Sequence, residues 1–202
     1  MSTDDIAVAA AAVRGGGVVG FPTETFYGLG ADPHQPAALR EVLRLKGRAD
    51  ATKPLLLLAT SVDEIAPWVA SFPPAFDRLA AHFWPGALTL VLPAAPGVPG
   101  PLLGADGGVG VRLTSHPLAR RLIEASGTAI TGTSANPSGQ QAPQSAAQVR
   151  AFFGKDLAIV VDGGATPGGQ PSTLLQLDGD VARLLRAGAV DVATLRDVVM
   201  LV

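Results

Sequence analysis

The sequence predicts a single α/β domain, residues 1–202, in which helices flank a twisted sheet of mixed parallel and antiparallel strands. Three observations carry this. Helix-like and strand-like segments alternate along the whole chain, as layered α/β folds require. The run "PLLLLA" (54–59) is apolar at every position, as a strand covered on both faces reads. The segment "STLLQLDGDVARLLR" (172–186) reads as a hairpin turning at Asp178-Gly179-Asp180, which adds antiparallel pairing.

Taken in order, Asp4 to Arg14 is an Ala-rich helix with acids in its first turn and three glycines as its stop. Residues 17–21 form a strand. Pro36 opens a helix through Lys46, since Pro is tolerated in a first turn. After the 54–59 strand, Ser61-Val62-Asp63-Glu64 is a capping box for the next helix. A helix over about 73–83 follows, then strands at 87–92 and 108–113. Ser115 caps a helix to Ala125. Residues 128–132 form a strand, 144–153 a helix and 157–162 a strand. A short helix from Asp191 follows the hairpin. Gly/Pro-rich loops span 93–108 and 162–171, lengths at which loops often serve function.

Composition narrows the function. The chain has 48% hydrophobic residues, mean hydropathy +0.33, net charge −2 and pI near 5.9. These values fit a folded chain and not a stand-alone nucleic-acid binder. No apolar run reaches the roughly 18–20 residues of a membrane helix. The start, "MSTDDIAVAAAAV", carries acids where a signal peptide needs bases, so the chain reads as soluble and cytoplasmic. It has no cysteine, which excludes disulfides and thiolate chemistry. Gly15, Gly17 and Gly20 match G-x-G-x-x-G only in letters, because they end a helix and enter a strand. His34, His82 and His116 lack metal-ligand spacing and read as helix-end or surface residues.

Polar clusters follow strand ends. Strand 17–21 runs into Thr23-Glu24-Thr25, strand 128–132 into Thr133-Ser134-Ala135-Asn136, and strand 157–161 into Asp162-Gly163-Gly164. Ligands of open α/β sheets bind in the crevice beyond strand ends. The same residue types also close turns. Lys46, Arg48 and Lys53 place three cations within eight positions. They either decorate a helix C-terminus or clamp a triphosphate. Arg112, inside the apolar strand "GVGVRL", needs either a core carboxylate or a ligand anion as partner. Arg186 at the end of "VARLLR" poses the same choice.

Together the ordered motifs "PTETFYGL", "KGR", "FWPGALTLVLP", "VRLTSHP", "TSANPSG", "DGG", "STLL" and "LLRAG" resemble the threonylcarbamoyl-AMP synthase family, also called the YrdC/Sua5 family, over about residues 5–190. The chain looks like the short, single-domain form. The resemblance implies a YrdC-like mixed sheet with a large concave pocket. It implies formation of threonylcarbamoyl-AMP and pyrophosphate from L-threonine, bicarbonate and ATP with Mg²⁺. The product would pass to partner proteins that modify adenosine 37 of tRNA, with at most weak tRNA contact by this chain and no membrane.

Carried over by position, Thr23, Thr25, Tyr27, Arg112 and Ser172 would surround L-threonine, with Arg112 on its carboxylate. Lys46, Arg48, Lys53, Ser134, Asn136 and Arg186 would hold ATP. Lys46 and Arg48 are the candidates for catalysis, because positioned cations offset the repulsion between a carbamate and the α-phosphate. The carbamate oxygen is already a nucleophile, so no base is nominated. Leu58 stands where longer relatives carry a His, and Lys53 where relatives often carry an Asn. Two other functions fit parts of the pattern: a carbamoyl-adenylate-forming domain using carbamoyl phosphate, and an RNA-binding module of tRNA or ribosome maturation.

Overall fold

The stretch "FPTETFYGLG" folds back on itself. Its apolar flanks form strands β1 (Val19–Pro22) and β2 (Tyr27–Gly30), paired antiparallel with Pro22 opposite Tyr27, so Thr23 to Phe26 form the hairpin tip. The register sets Phe21 against Gly28 and Val19 against Gly30. A Cβ on Gly30 would stand 2.9 Å from the Phe21 ring, so the alternating glycines make room for that ring.

The computed structural model describes residues 3–47 and 53–202. Arg48, a predicted site residue, lies outside the described residues. Helix α1 (Thr3–Arg14) precedes the hairpin, and α2 (Pro36–Leu45) follows it with Pro in its first turn. Then come β3 (Leu57–Ala59), α3 (Val62–Ile65), α4 (Phe76–Phe83), β4 (Leu88–Pro93) and β5 (Gly108–Leu113). The next segment holds α5 (Pro117–Ser126), β6 (Ile130–Thr131), β7 (Thr133–Ser134), α6 (Ala146–Phe153) and β8 (Ile159–Val160). The chain ends with β9 (Thr173–Asp178), β10 (Val181–Arg186), α7 (Val192–Arg196) and β11 (Met200–Leu201).

The strands divide between two mixed sheets. One has four strands in the order β7-β2-β1-β8, the other seven in the order β11-β10-β9-β4-β5-β3-β6. The main core joins Tyr27 and Leu29 of the small sheet to Leu57, Leu90, Val111 and Leu175 of the large one, with α2 and α4 packed on it. A second cluster sets Ile6, Ala10 and Val13 of α1 and Leu122 and Ile123 of α5 on Val19, Phe21, Leu58, Ile130 and Val161.

Several expected elements are revised. The 54–59 run pairs only at 57–59, because Pro54 has no N–H to give and Leu55 donates to Pro101 O instead. Strands β2, β7 and β11 are too short or too Gly-rich to read from pattern. The cap of α5 is His116, whose ring accepts from the Leu118 N–H, and not Ser115. Ser61 caps α3 as expected, but Glu64 reaches back to Thr60, one residue beyond the cap. Both Asp191 and the turn at Gly179 fall where the sequence places them.

Gly132 is the pivot between the sheets. The chain leaves the large sheet at Thr131, passes Gly132 and pairs with the small sheet at Thr133. A Cβ on Gly132 would lie 2.4 Å from Leu58 Cγ, in the middle of a fully buried side chain. Gly132→Ala is expected to cost about 1–3 kcal/mol through overpacking. Thermal unfolding reads this as a lowered Tm; an unchanged Tm would contradict the tight crossing.

Candidate active site

A cavity of about 360 Å³ opens where the two sheets face each other. The small sheet supplies Thr23, Thr25, Phe26, Tyr27, Thr133 and Ser134. The large sheet and its approaches supply Leu56, Arg112, Ser172, Leu174, Leu185 and Arg186, and Lys53 stands at the rim beside Pro54. Eight of the eleven predicted site residues therefore line one space. Lys46 and Asn136 stand one layer behind Ser134, and Arg48 is the residue not described.

Each wall has a local cause. In the hairpin tip, Thr23 Oγ1 donates to Phe26 O at 2.7 Å and accepts from the Thr25 N–H at 3.2 Å. The two threonine hydroxyls lie 3.2 Å apart. Tyr27 is fully buried; its hydroxyl donates to Gly164 O at 2.7 Å and accepts from the Gly163 N–H at 3.1 Å. The Asp162-Gly163-Gly164 cluster thus anchors Tyr27 from behind and does not line the cavity. Burial pushes the Tyr27 phenol above its usual range.

On the opposite wall a β-bulge sets the geometry. Leu184 pairs with Leu175 but Arg186 pairs with Leu174, so Leu185 is the extra residue. In a regular strand consecutive side chains face opposite ways; the bulge lets both Leu185 and Arg186 line the cavity. Arg186 Nε and one amino group donate to Ser172 O at 3.1 and 2.9 Å, and the same amino group reaches Ser172 Oγ at 3.2 Å. Ser172 Oγ in turn meets Thr89 Oγ1 at 2.8 Å.

Arg112 differs. It is 4% exposed, sits in β5, and its side chain makes no hydrogen bond among the described residues. Its one ion pair among them is Arg112 Nε to Glu24 Oε1 at 3.5 Å, and both atoms lack a hydrogen-bond partner. Glu24 is held from its other oxygen by Thr114 Oγ1 at 2.6 Å. Burial pushes the Arg112 guanidinium below its usual range, and Glu24 partly restores it. Arg186 is lowered too, by burial first and then by the charge of Arg112. Two guanidiniums line one cavity whose wall, among the described residues, includes no carboxylate, an arrangement chemically suited to anions.

Behind Ser134, the buried Lys46 ammonium donates to Ser134 O, lies 3.4 Å from Ser134 Oγ and reaches Asn136 Oδ1 at 3.3 Å. It therefore braces the β7 turn. Leu58 lies in the α1–α5 core cluster, whereas Leu56 lines the cavity.

Known proteins share this architecture. The family model covering Sua5, YciO and YrdC proteins, described as "Telomere recombination", matches residues 11–188. The chain belongs to the Sua5/YciO/YrdC family. Within it, the threonylcarbamoyl-AMP synthase of Thiobacillus denitrificans is 43% identical over 175 residues, covering 87% of this chain and 91% of that protein. That of Alkalilimnicola ehrlichii is 46% identical over 153 residues, covering 76% and 79%. The Pyrococcus abyssi Sua5 structure complexed with L-threonine superposes with a TM-score of 0.91 at 36% identity, over 98% of this chain and 58% of that one.

Phe26, Leu56, Leu174 and Leu185 on the wall, and Thr89 and Thr114 beside it, are among the site's residues that sequence reasoning did not nominate, and Glu24 was read only as part of the Thr23-Glu24-Thr25 cluster. Glu24 was within reach, as the acid in the hairpin tip nearest to an arginine that needed one. His116 belongs to the same neighbourhood: its N–H donates to Thr114 Oγ1 at 3.3 Å, and its Nδ1 caps α5. Burial lowers its pKa from 6.5, with Glu24 opposing. The unfolded chain therefore takes up a proton that the folded ring resists. The stability this ring contributes is present above its ordinary pKa and is lost as pH falls through the lower folded value. Thermal stability is expected to fall on acidification below about pH 6.5. The variant His116→Asn, which keeps a capping acceptor, is expected to flatten that slope; identical slopes would contradict the assignment.

Proposed function

We infer that this chain catalyses formation of threonylcarbamoyl-AMP and pyrophosphate from L-threonine, bicarbonate and ATP, a nucleotidyl transfer that supplies the threonylcarbamoyl group for tRNA modification. The observation that carries this is the Arg112 guanidinium, buried in a cavity lined by hydroxyls, with its Nε unpartnered and no side-chain hydrogen bond among the described residues. A ligand carboxylate is the kind of acceptor such a guanidinium takes. The relatives' names and the L-threonine complex of the P. abyssi protein support threonine as its owner.

In this reading Arg112 holds the threonine carboxylate, and Thr23, Thr25, Tyr27 and Ser172 form the wall around its amine and side chain. The amine adds to the carbon of bicarbonate with loss of water, leaving a carbamate. A carbamate oxygen then forms a bond to the α-phosphorus of ATP as the bond to the β-phosphate oxygen breaks and pyrophosphate departs. Lys53 and Arg186 at the cavity, with Arg48 and with Lys46 behind Ser134, offset the charge of two approaching anions. Ser134 and Asn136 shape the nucleotide's side. Among the described residues no group of three or more His, Asp or Glu stands together. Mg²⁺ accordingly enters as MgATP, carried on the phosphates. The product passes to separate tRNA-modifying proteins in the cytoplasm. No helix among the described residues is long and apolar enough to cross a membrane.

The test is pyrophosphate release by the purified protein, omitting each substrate in turn. Release that needs ATP, bicarbonate and L-threonine together, with a threonylcarbamoyl-adenylate mass in the mixture, is the expected result. Release indifferent to threonine would move the reading to carbamoyl-adenylate chemistry, and salt-dependent RNA binding without release would move it to an RNA-binding module. Lys46→Ala and Arg48→Ala are each expected to cut release at least ~10-fold with the fold intact, as loss of one positioned charge does. Full activity in both would remove the phosphate-clamp assignment.

A further inference from the structure

We propose that Glu24 is a positioning residue for L-threonine binding: it balances the charge of Arg112 from behind without taking the hydrogen bonds that Arg112 offers to the ligand. The inference rests on the function just described and concerns how its amino-acid subsite is built.

A carboxylate beside a buried arginine ordinarily takes two of its donors in a fork-to-fork pair. Glu24 does not. Its Oε1 stops 3.5 Å from Arg112 Nε without hydrogen-bond geometry, and both atoms are buried and without a partner. Unpaired buried polar atoms are few in native proteins, and two facing each other call for a reason. The restraint is visible on the other oxygen: Thr114 Oγ1 donates to Oε2 at 2.6 Å and is itself fixed by the His116 N–H. Thr114 follows Arg112 by two residues, just past the end of β5, so the strand that carries the arginine also carries the hook for its counter-charge. Glu24 comes from the hairpin tip between Thr23 and Thr25, which line the cavity while Glu24 does not. Alternation along the tip thus sends two hydroxyls toward the ligand and one carboxylate behind the arginine.

The consequence is specific. Without Glu24, Arg112 lines the cavity alongside Arg186 with no carboxylate to offset its own charge, and the Arg112 side chain loses what orients it. The loss falls on the amino acid's carboxylate and spares the nucleotide. In Glu24→Gln the shape and the Thr114 contact can persist while the charge is gone.

The experiment is steady-state kinetics of pyrophosphate release, with calorimetric L-threonine binding, for the wild type, Glu24→Gln, Thr114→Val and Thr114→Ser. The expected result is a rise of at least 10-fold in the KM and Kd for L-threonine in Glu24→Gln. Its KM for ATP and its kcat stay within about threefold. Thr114→Val shifts threonine binding the same way by a smaller factor, and Thr114→Ser restores it. Unchanged threonine KM in a folded Glu24→Gln overturns the proposal, as does an equal rise in both KM values, which marks general loosening. Should Glu24→Gln fail to fold, the Thr114 pair decides by the same criterion. A wild type that neither binds threonine nor needs it for release refutes the proposed function itself. An active wild type with an indifferent Glu24→Gln refutes only this inference.

Discussion

A guanidinium in the middle of a buried strand is an expensive group, and the arrangement around Arg112 follows from that expense. Removing a charge from water costs several kcal/mol even after relaxation. The Arg112–Glu24 separation of 3.5 Å returns roughly 4–5 kcal/mol at an effective dielectric near 20. The pair therefore comes close to breaking even and stabilises the fold little. What it leaves, among the described residues, is a guanidinium that makes no side-chain hydrogen bond and lines a cavity. The hairpin tip reaches toward β5 to bring Glu24 there, while the shared apolar core holds the small sheet over the large one.

Two backbone devices complete the space. At Gly132 the chain changes sheets in a single residue, because nothing larger than hydrogen fits against Leu58. The bulge at Leu185 brings consecutive residues of β10 to the same cavity, one apolar and one cationic. Arg186 uses its donors on Ser172 and so fixes that side chain, while Arg112 keeps its donors. The two arginines thus do different work. One organises the wall, and in the proposed function the other receives the ligand's carboxylate.

Much of this was legible in the sequence. Long helices, the hairpin at Gly179 and the strands β4 and β5 carry periodicity and turn signals strong enough to survive in tertiary context. Polar clusters after strands 17–21 and 128–132 both proved to line one cavity. What could not be read is what depends on pairing across distance. Strand β2 looks like a glycine-rich loop until Phe21 is seen lying over it. Strand β7 reads only as the polar cluster after strand 128–132 until Gly132 is seen to divide β6 from it and send the two to different sheets. Of the apolar run 54–59, Leu56 lines the cavity and Leu58 packs in the α1–α5 core, which alternation alone did not settle. For Arg112 the sequence left two partners open, a core carboxylate or a ligand. The structure has the carboxylate and keeps the donors for something else.

That last point can be measured directly by calorimetry of L-threonine against L-threoninol, which has an alcohol in place of the carboxylate. If the Arg112 fork exists to receive a carboxylate, L-threonine binds and L-threoninol binds on the order of 100-fold more weakly, the loss of a two-pronged charged contact. Equal affinity for the two would mean that Arg112 does not hold the amino acid, and the account of the cavity would have to be rebuilt around a different anion.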